Sequence, residues 1–181
     1  MKNLNATRRD KLYLSIDNIY VIKWWVDASF AVHPDFKSHT GMAMSMGRGC
    51  PINASQKQKL NTDSSTSAEL VGAHAGSTLI LWTKLFLEAQ GYEVKRNILH
   101  QDNKSAIPLE VNGKRSSTKR TRALNIRCFF LTDQVAKGNL EIVYCPTDEM
   151  VADHQTKPPL GARFKSFKAQ ILGWEMFQRC D

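Results

Sequence analysis

The alternation of apolar and polar positions divides the chain into strands and helices before any single residue is considered. After a polar start, the run Tyr20-Val-Ile-Lys-Trp-Trp-Val26 is rich in β-branched and aromatic side chains and predicts a buried strand that ends at Asp27. Residues 31–38 carry Pro, Asp, Lys and His and read as a turn. Two shorter strands follow over residues 40–46 and 50–56, separated by the hairpin-type break Gly47-Arg-Gly49. A long helix is expected over residues 66–90, with Leu70, Ala73, Leu81, Trp82, Leu85 and Phe86 as its apolar positions and Gly91 as its stop. Residues 97–101 form a further strand, 103–110 a short helix, 123–137 a helix with Leu124, Cys128, Leu131 and Val135 on one face, and 140–144 a last strand. A final amphipathic helix over residues 160–171 presents Leu160, Phe164, Phe167 and Ile171. Three early strands on short turns, followed by strands alternating with helices, imply an α/β fold with a mixed five-stranded sheet flanked by helices.

This pattern places four acids where their chemistry matters. Asp27 and Asp102 each close a strand, Glu69 lies one turn into the long helix that opens with Asp63-Ser-Ser-Thr-Ser67, and Asp153 follows the last strand and the turn Cys145-Pro-Thr-Asp-Glu149. Functional groups in open sheets collect beyond the carboxyl ends of parallel strands. Crowded carboxylates raise one another's pKa and are stabilised by cations, and hard oxygen donors favour Mg²⁺ or Mn²⁺ over zinc. Two such ions roughly 3.5–4 Å apart clamp the attacking and leaving oxygens of a phosphodiester displacement. Hydrolysis of a nucleic-acid backbone is the chemistry this implies. Singly, each acid is also a common cap or turn former, and Asp35, Asp63, Asp133, Asp148 and Glu149 are read that way.

A net charge of +8 agrees with a polyanionic partner without proving one. The densest basic run, Lys114, Arg115, Lys119, Arg120 and Arg122 with hydroxyls between, suits phosphate oxygens and competes with a solvated-loop reading. Four scattered cysteines without a CxxC pair argue for reduced thiols in an intracellular protein. No apolar run is read as long enough to span a bilayer, so no membrane partner is expected, and a monomer is. Trp24 and Trp25, inside a central strand, are expected in the core rather than stacked on bases.

The segments Val26-Asp-Ala-Ser29, Ser38-His-Thr-Gly41, Ser64-Ser-Thr-Ser-Ala-Glu-Leu70, Gln101-Asp-Asn-Lys-Ser-Ala-Ile107 and Pro146-Thr-Asp-Glu-Met-Val-Ala-Asp153, followed by Thr156-Lys-Pro158, resemble in order the ribonuclease H domain of copia-type LTR retrotransposon polyproteins. The resemblance covers residues 20–160. It implies the RNase H-like fold, Mg²⁺-dependent endonucleolytic cutting of RNA in RNA–DNA hybrids, and work alongside a reverse transcriptase of the same polyprotein, in a cytoplasmic retroelement particle or the nucleus. The family's four metal-binding acids fall on Asp27, Glu69, Asp102 and Asp153. Ser65 and Thr66 stand where relatives touch the minor groove, with Ser29 and Asn103 as further substrate candidates beside the basic run. The expected division is a linker or extension over residues 1–18, a catalytic domain over 19–158, and a C-terminal amphipathic helix over 159–181 packed on it.

Departures from the family temper the substrate contacts rather than the acids. The loop over residues 145–151 lacks the histidine of many cellular enzymes, His154 directly follows the last acid, and Ala123 stands where relatives carry an imidazole. An integrase-like triad would place its glutamate last, whereas Glu69 comes second, and a proofreading exonuclease would show a glutamate two residues after Asp27, where Ser29 stands. The alternative reading is a catalytically silent RNase H-like module that binds hybrid or supports a reverse transcriptase.

Overall fold

The computed structural model describes residues 7–113, 125–157 and 160–177, the side chains of residues 125 and 126 excepted. A five-stranded sheet is built from β2 (Val21–Ser29), β3 (His39–Ser45), β5 (Ile52–Lys57), β6 (Arg96–Gln101) and β7 (Glu141–Tyr144), in the order β5-β3-β2-β6-β7. The β2–β3 and β3–β5 pairs are antiparallel, and the β2–β6 and β6–β7 pairs are parallel. The mixed sheet and its flanking helices therefore match the expected architecture, with element ends shifted by at most three residues. Two short strands, β1 (Ser15–Ile16) and β4 (Gly47–Arg48), form a separate antiparallel pair beyond it.

Strand β2 is central and buried along most of its length because both faces of the sheet are covered. Ile22, Trp24 and Val26 point into a core completed by Met42, Met44, Ala73, Ile80, Leu99 and Leu131. Trp25 points the other way, among Ala43, Cys50, Cys145, Met150 and Val151, stacked on the His100 ring at 4.9 Å. Both tryptophans are core residues. Cys50 and Cys128 are buried free thiols, Cys145 is buried as well, and Cys180 lies outside the described residues.

Helix α1 (Ser65–Ala89) covers the first core, with Ser64 as N-cap accepting the Ser67 N–H. Its inner face keeps Leu70 and Ala73 from the expected positions and departs from them in the second half of the helix. Leu70, Ala73, Gly76, Ile80 and Thr83 are buried, whereas Trp82, Leu85 and Phe86 are 55 %, 62 % and 46 % exposed. Small residues line the contact because the helix lies close to the sheet: a Cβ on Gly76 would sit 3.1 Å from Met42 Sδ. The largest apolar side chains were therefore the wrong guide to the inner face. By length and composition α1 also meets the requirements of a bilayer-crossing helix, contrary to the sequence reading, although its inner face is packed on β2 and β3.

The remaining helices are α2 (Ala106–Asn112), α3 (Asn125–Ala136), α4 (Asp153–Thr156) and α5 (Gly161–Ile171), with a 3₁₀ turn at Thr147–Glu149. Leu131 and Cys128 are buried from α3 as expected, and Leu124 lies outside the described residues. On α5, Phe167 is buried, but Leu160 precedes the helix and is 85 % exposed. The segment before β2 is tied to the C-terminal part: the Tyr13 N–H donates to Leu172 O at 2.9 Å, Trp174 Nε1 donates to Lys11 O at 2.9 Å, and Lys168 pairs with Asp10 at 2.6 Å.

Candidate active site

Asp27 and Asp102 reach the same end of the sheet because β2 and β6 are parallel neighbours, in register from Val21 opposite Arg96 to Trp25 opposite His100. Glu69 arrives from the second turn of α1, where the Ala28 N–H donates to its Oε1 at 3.2 Å. One carboxylate oxygen from each of the three lies within 4.8 Å of the others. Asp27 and Glu69 are 1 % and 4 % exposed, and Glu69 Oε2 is buried without a partner among the described residues.

This arrangement is electrostatically uncomfortable without a cation. Burial pushes the Asp27 carboxyl up to about 6, with the charges of Asp153 and Asp102 adding to the rise and Thr156 and Lys157 opposing it. Burial likewise holds Glu69 well above its usual range, reinforced by Asp27 and Asp102. The donor set is all carboxylate oxygen, one of them buried and unspent, which suits a hard divalent cation such as Mg²⁺ or Mn²⁺.

Asp153 is also buried but is not among those three. Its Oδ1 is hydrogen-bonded by Lys157 Nζ, one helical turn on, and its Oδ2 receives Arg163 Nη2 at 2.6 Å. Lys157 Nζ also lies 3.7 Å from Asp27 Oδ2, bridging the two acids. Burial works against the Lys157 charge, yet the Asp153 hydrogen bond and the charges of Asp27, Asp153 and Asp102 outweigh it and raise its pKa. The Arg163 guanidinium also donates to Thr147 O at 2.7 Å, and Thr147 Oγ1 donates to Asp102 Oδ2 at 2.9 Å.

A glycine permits this approach. Gly41 pairs with Asp27 across β2 and β3, and a Cβ there would meet Ala152 O at 2.6 Å, Gln155 Cβ at 2.7 Å and Thr156 Cγ2 at 2.8 Å. With no side chain at Gly41, α4 settles against β3 and Thr156 Oγ1 donates to Asp27 Oδ2.

The substrate candidates separate in space. Ser65 is exposed and Thr66 half-buried in the first turn of α1, one turn before Glu69. Ser29 is 5 % exposed, and its hydroxyl faces Thr156 O at 3.4 Å, so it is withdrawn from the surface. Asn103 is half-buried, with Oδ1 accepting the N–H groups of Ser105 and Ala106 at the start of α2. Lys114, Arg115, Lys119, Arg120 and Arg122 lie outside the described residues, as does Ala123. His154 is half-buried beside the Phe164 ring at 5.3 Å, and burial lowers its pKa.

Several residues of the site had no role assigned from sequence. Lys157 was legible as a basic residue four positions after an acid on a helix. Gly41, Thr147 and Arg163 become meaningful only when the strand pairing and the packing of α4 and α5 are known.

The curated relatives are consistent with this geometry. The chain is 30% identical over 138 residues to the retrovirus-related Pol polyprotein from transposon TNT 1-94 of Nicotiana tabacum, a match covering 76% of this chain and 10% of the relative. It is 29% identical over 174 residues to the corresponding polyprotein from transposon RE1 of Arabidopsis thaliana, covering 94% and 12%. Among solved structures, LC11-RNase H1 isolated from compost aligns with a TM-score of 0.54 at 13% identity, covering 81% of this chain and 98% of that one. The chain is a homologue of retrovirus-related Pol polyproteins and carries the RNase H fold. The RNase H domain of rv2228c from Mycobacterium tuberculosis, at a TM-score of 0.52 and 14% identity, covers 81% of this chain and 98% of that one. LC11-RNase H1 in complex with RNA/DNA hybrid gives 0.53 and 11%, covering 74% and 92%. No protein-family model matches. The chain spans about a tenth of the length of the Pol polyproteins it matches.

Proposed function

We propose that this chain is an endoribonuclease that hydrolyses the RNA strand of RNA–DNA hybrids with divalent cations, during retrotransposon reverse transcription. The observation that carries the reading is the convergence of Asp27, Glu69 and Asp102 within 4.8 Å at the ends of two parallel strands of an RNase H fold. Mg²⁺ or Mn²⁺, as a pair of ions, would supply activation of a water and stabilisation of the leaving oxygen. Asp27, Glu69 and Asp102 would hold the ions, with Asp153 joining them when its oxygens leave Lys157 and Arg163.

The rest of the work belongs to the protein's own side chains. Glu69 is braced by the Ala28 N–H and Asp27 by Thr156, so the donors are oriented before any ion arrives. Ser65, exposed, and Thr66, half-buried, in the turn before Glu69, are suited to reading 2′-hydroxyls across a shallow minor groove. The basic run from Lys114 to Arg122 would bind the DNA strand's phosphates. The proposed setting is alongside a reverse transcriptase of the same polyprotein, in a cytoplasmic particle or the nucleus.

Strand-labelled substrates test this. In Mg²⁺, the RNA strand of a hybrid should be cut to products with 5′-phosphate ends, duplex DNA should survive, duplex RNA should be cut poorly, and EDTA should stop the reaction. Efficient cutting of duplex DNA would overturn the reading in favour of an integrase-like one. Hybrid binding without cutting in either metal would favour the silent module.

A further inference from the structure

Glu110, on α2, is fully enclosed at 0 % exposure, and burial pushes its carboxyl up to about 7. Its Oε1 accepts from Gln101 Nε2 at 3.4 Å, and its Oε2 has no partner among the described residues. A buried carboxylate so sparsely satisfied costs stability that an apolar side chain of similar volume would not. Packing therefore does not account for an acid at this position.

Its partner Gln101 points to what does. Gln101 is the last residue of β6, also at 0 % exposure, and its Oε1 accepts the Asn103 N–H at 3.0 Å. The Gln101 side chain thus spans Asp102, gripping the backbone directly beyond it. The Asn103 N–H can only donate, so it takes the Gln101 amide oxygen and turns the Gln101 NH₂ toward α2, where the Glu110 carboxyl oxygen accepts from it. Asn103 in turn caps α2 through Ser105 and Ala106, and the Glu110 carbonyl accepts from Thr132 Oγ1 at 3.0 Å, tying α2 to α3. Strand end, acid and helix close into a ring with Asp102 on its rim.

We propose that Glu110 is a positioning residue for Asp102: its carboxylate fixes the Gln101 amide, whose other end fixes the backbone after Asp102 and so aims that acid at Asp27 and Glu69. The inference rests on reading those three acids as the cation site of a nuclease. Glu110→Gln keeps an oxygen that can accept from Gln101. Glu110→Leu removes it and leaves the Gln101 NH₂ without that acceptor.

Mn²⁺ titration calorimetry of the metal-free protein, with melting temperature and then kcat and KM on a hybrid, reads the difference. Glu110→Leu should melt at or above wild type yet bind Mn²⁺ about 10-fold more weakly, the lower end of what loss of a ligand's supporting partner costs. At limiting Mn²⁺ its kcat should fall with KM for hybrid unchanged, and Glu110→Gln should stay within about twofold of wild type in Mn²⁺ affinity, by the same scale. Gln101→Met should repeat the loss with Glu110 intact, and it carries the test if Glu110→Leu does not fold. Wild-type Mn²⁺ affinity in folded Glu110→Leu or Gln101→Met overturns the proposal, as does a Glu110→Gln variant as weak as Glu110→Leu. A wild-type protein that binds Mn²⁺ but cuts no hybrid overturns the nuclease reading and leaves the calorimetric comparison valid; one with no Mn²⁺ affinity overturns both.

Discussion

The two halves of the acidic site are neutralised in opposite ways. Asp27, Glu69 and Asp102 face one another, and burial with mutual repulsion holds Asp27 and Glu69 above their usual range. Asp153, equally buried, has both oxygens taken by Lys157 and Arg163. One half is a set of donors in want of a cation; the other is supplied with cations by the chain. The lesson is that an acid cluster inferred from sequence order need not be electrically uniform. Its members can be divided between those left open to a cation and those paired with side chains of the chain itself, one from the next turn and one from a following helix.

The sharpest way to break the comparison is to remove charge from each half in turn. Asp27→Asn and Asp102→Asn should abolish hybrid cleavage, measured by gel, while the metal-free proteins melt at or above wild type because repulsion is relieved. Asp153→Asn should differ. It strands Lys157 and Arg163 beside each other, so its metal-free melting temperature should fall. If all three variants shift stability in the same direction, the two halves are not distinct.

Next in size is the packing that joins them. Gly41→Ala places a methyl group within 2.6–2.8 Å of α4, which cannot give without moving Thr156 and Asp153. Overpacking of this kind costs about 1–3 kcal/mol. Chemical denaturation should show the loss, and cleavage should fall further than stability alone explains. A variant with wild-type activity would mean that α4 is not held at a fixed distance.

Lys157→Met then tests the self-supplied cation. Because Lys157 is 49 % exposed, solvent screens the pair, and the stability cost should be only about 1 kcal/mol. The concentration of Mg²⁺ giving half-maximal cleavage should drop, since the ion no longer competes with an ammonium 3.7 Å from Asp27. An unchanged Mg²⁺ requirement would make Lys157 a bystander.

The smallest expected effect is on pH. The Asp27 carboxyl rises from its ordinary value of 3.8 to about 6 on folding, and Glu110 from 4.5 to about 7. Between those values each of these two groups binds more protons in the folded state than in the unfolded one, so their contribution to stability falls as pH rises, and it outweighs the opposite contribution of the histidines whose pKa burial lowers, such as His154. Metal-free protein should therefore lose a few degrees of melting temperature between about pH 4 and pH 7. Added Mg²⁺ should restore most at the upper end, where the acids are ionised. A melting temperature rising steadily through that window would contradict the burial of these acids.

How far the sequence could have led is visible in particular residues. The strand carrying Trp24 and Trp25 was legible because β-branched and aromatic residues pack on both faces of a central strand, and Asp27 at its end followed from that. The inner face of α1 was not, since close packing on the sheet selects Gly72, Gly76 and Thr83, which carry little hydrophobic signal. The three converging acids were readable from strand ends and helix phase. The state of Asp153 was not, because Arg163 comes from α5, a helix whose docking buries Phe167 and packs Ile171 against the cluster around Trp25. The burial of Glu110 has no signal in the sequence of its short helix, because it depends on α3, from which Thr132 donates to the Glu110 carbonyl.

The central claim is that Asp27, Glu69 and Asp102 form an open cation site while Asp153 is already neutralised. Calorimetric titration of Mn²⁺ into metal-free wild type, Asp102→Asn and Asp153→Asn tests it most directly. The account predicts saturable binding in wild type, binding lost in Asp102→Asn, and the first ion's binding largely retained in Asp153→Asn. Equal loss in both variants, or undiminished binding in Asp102→Asn, would contradict it.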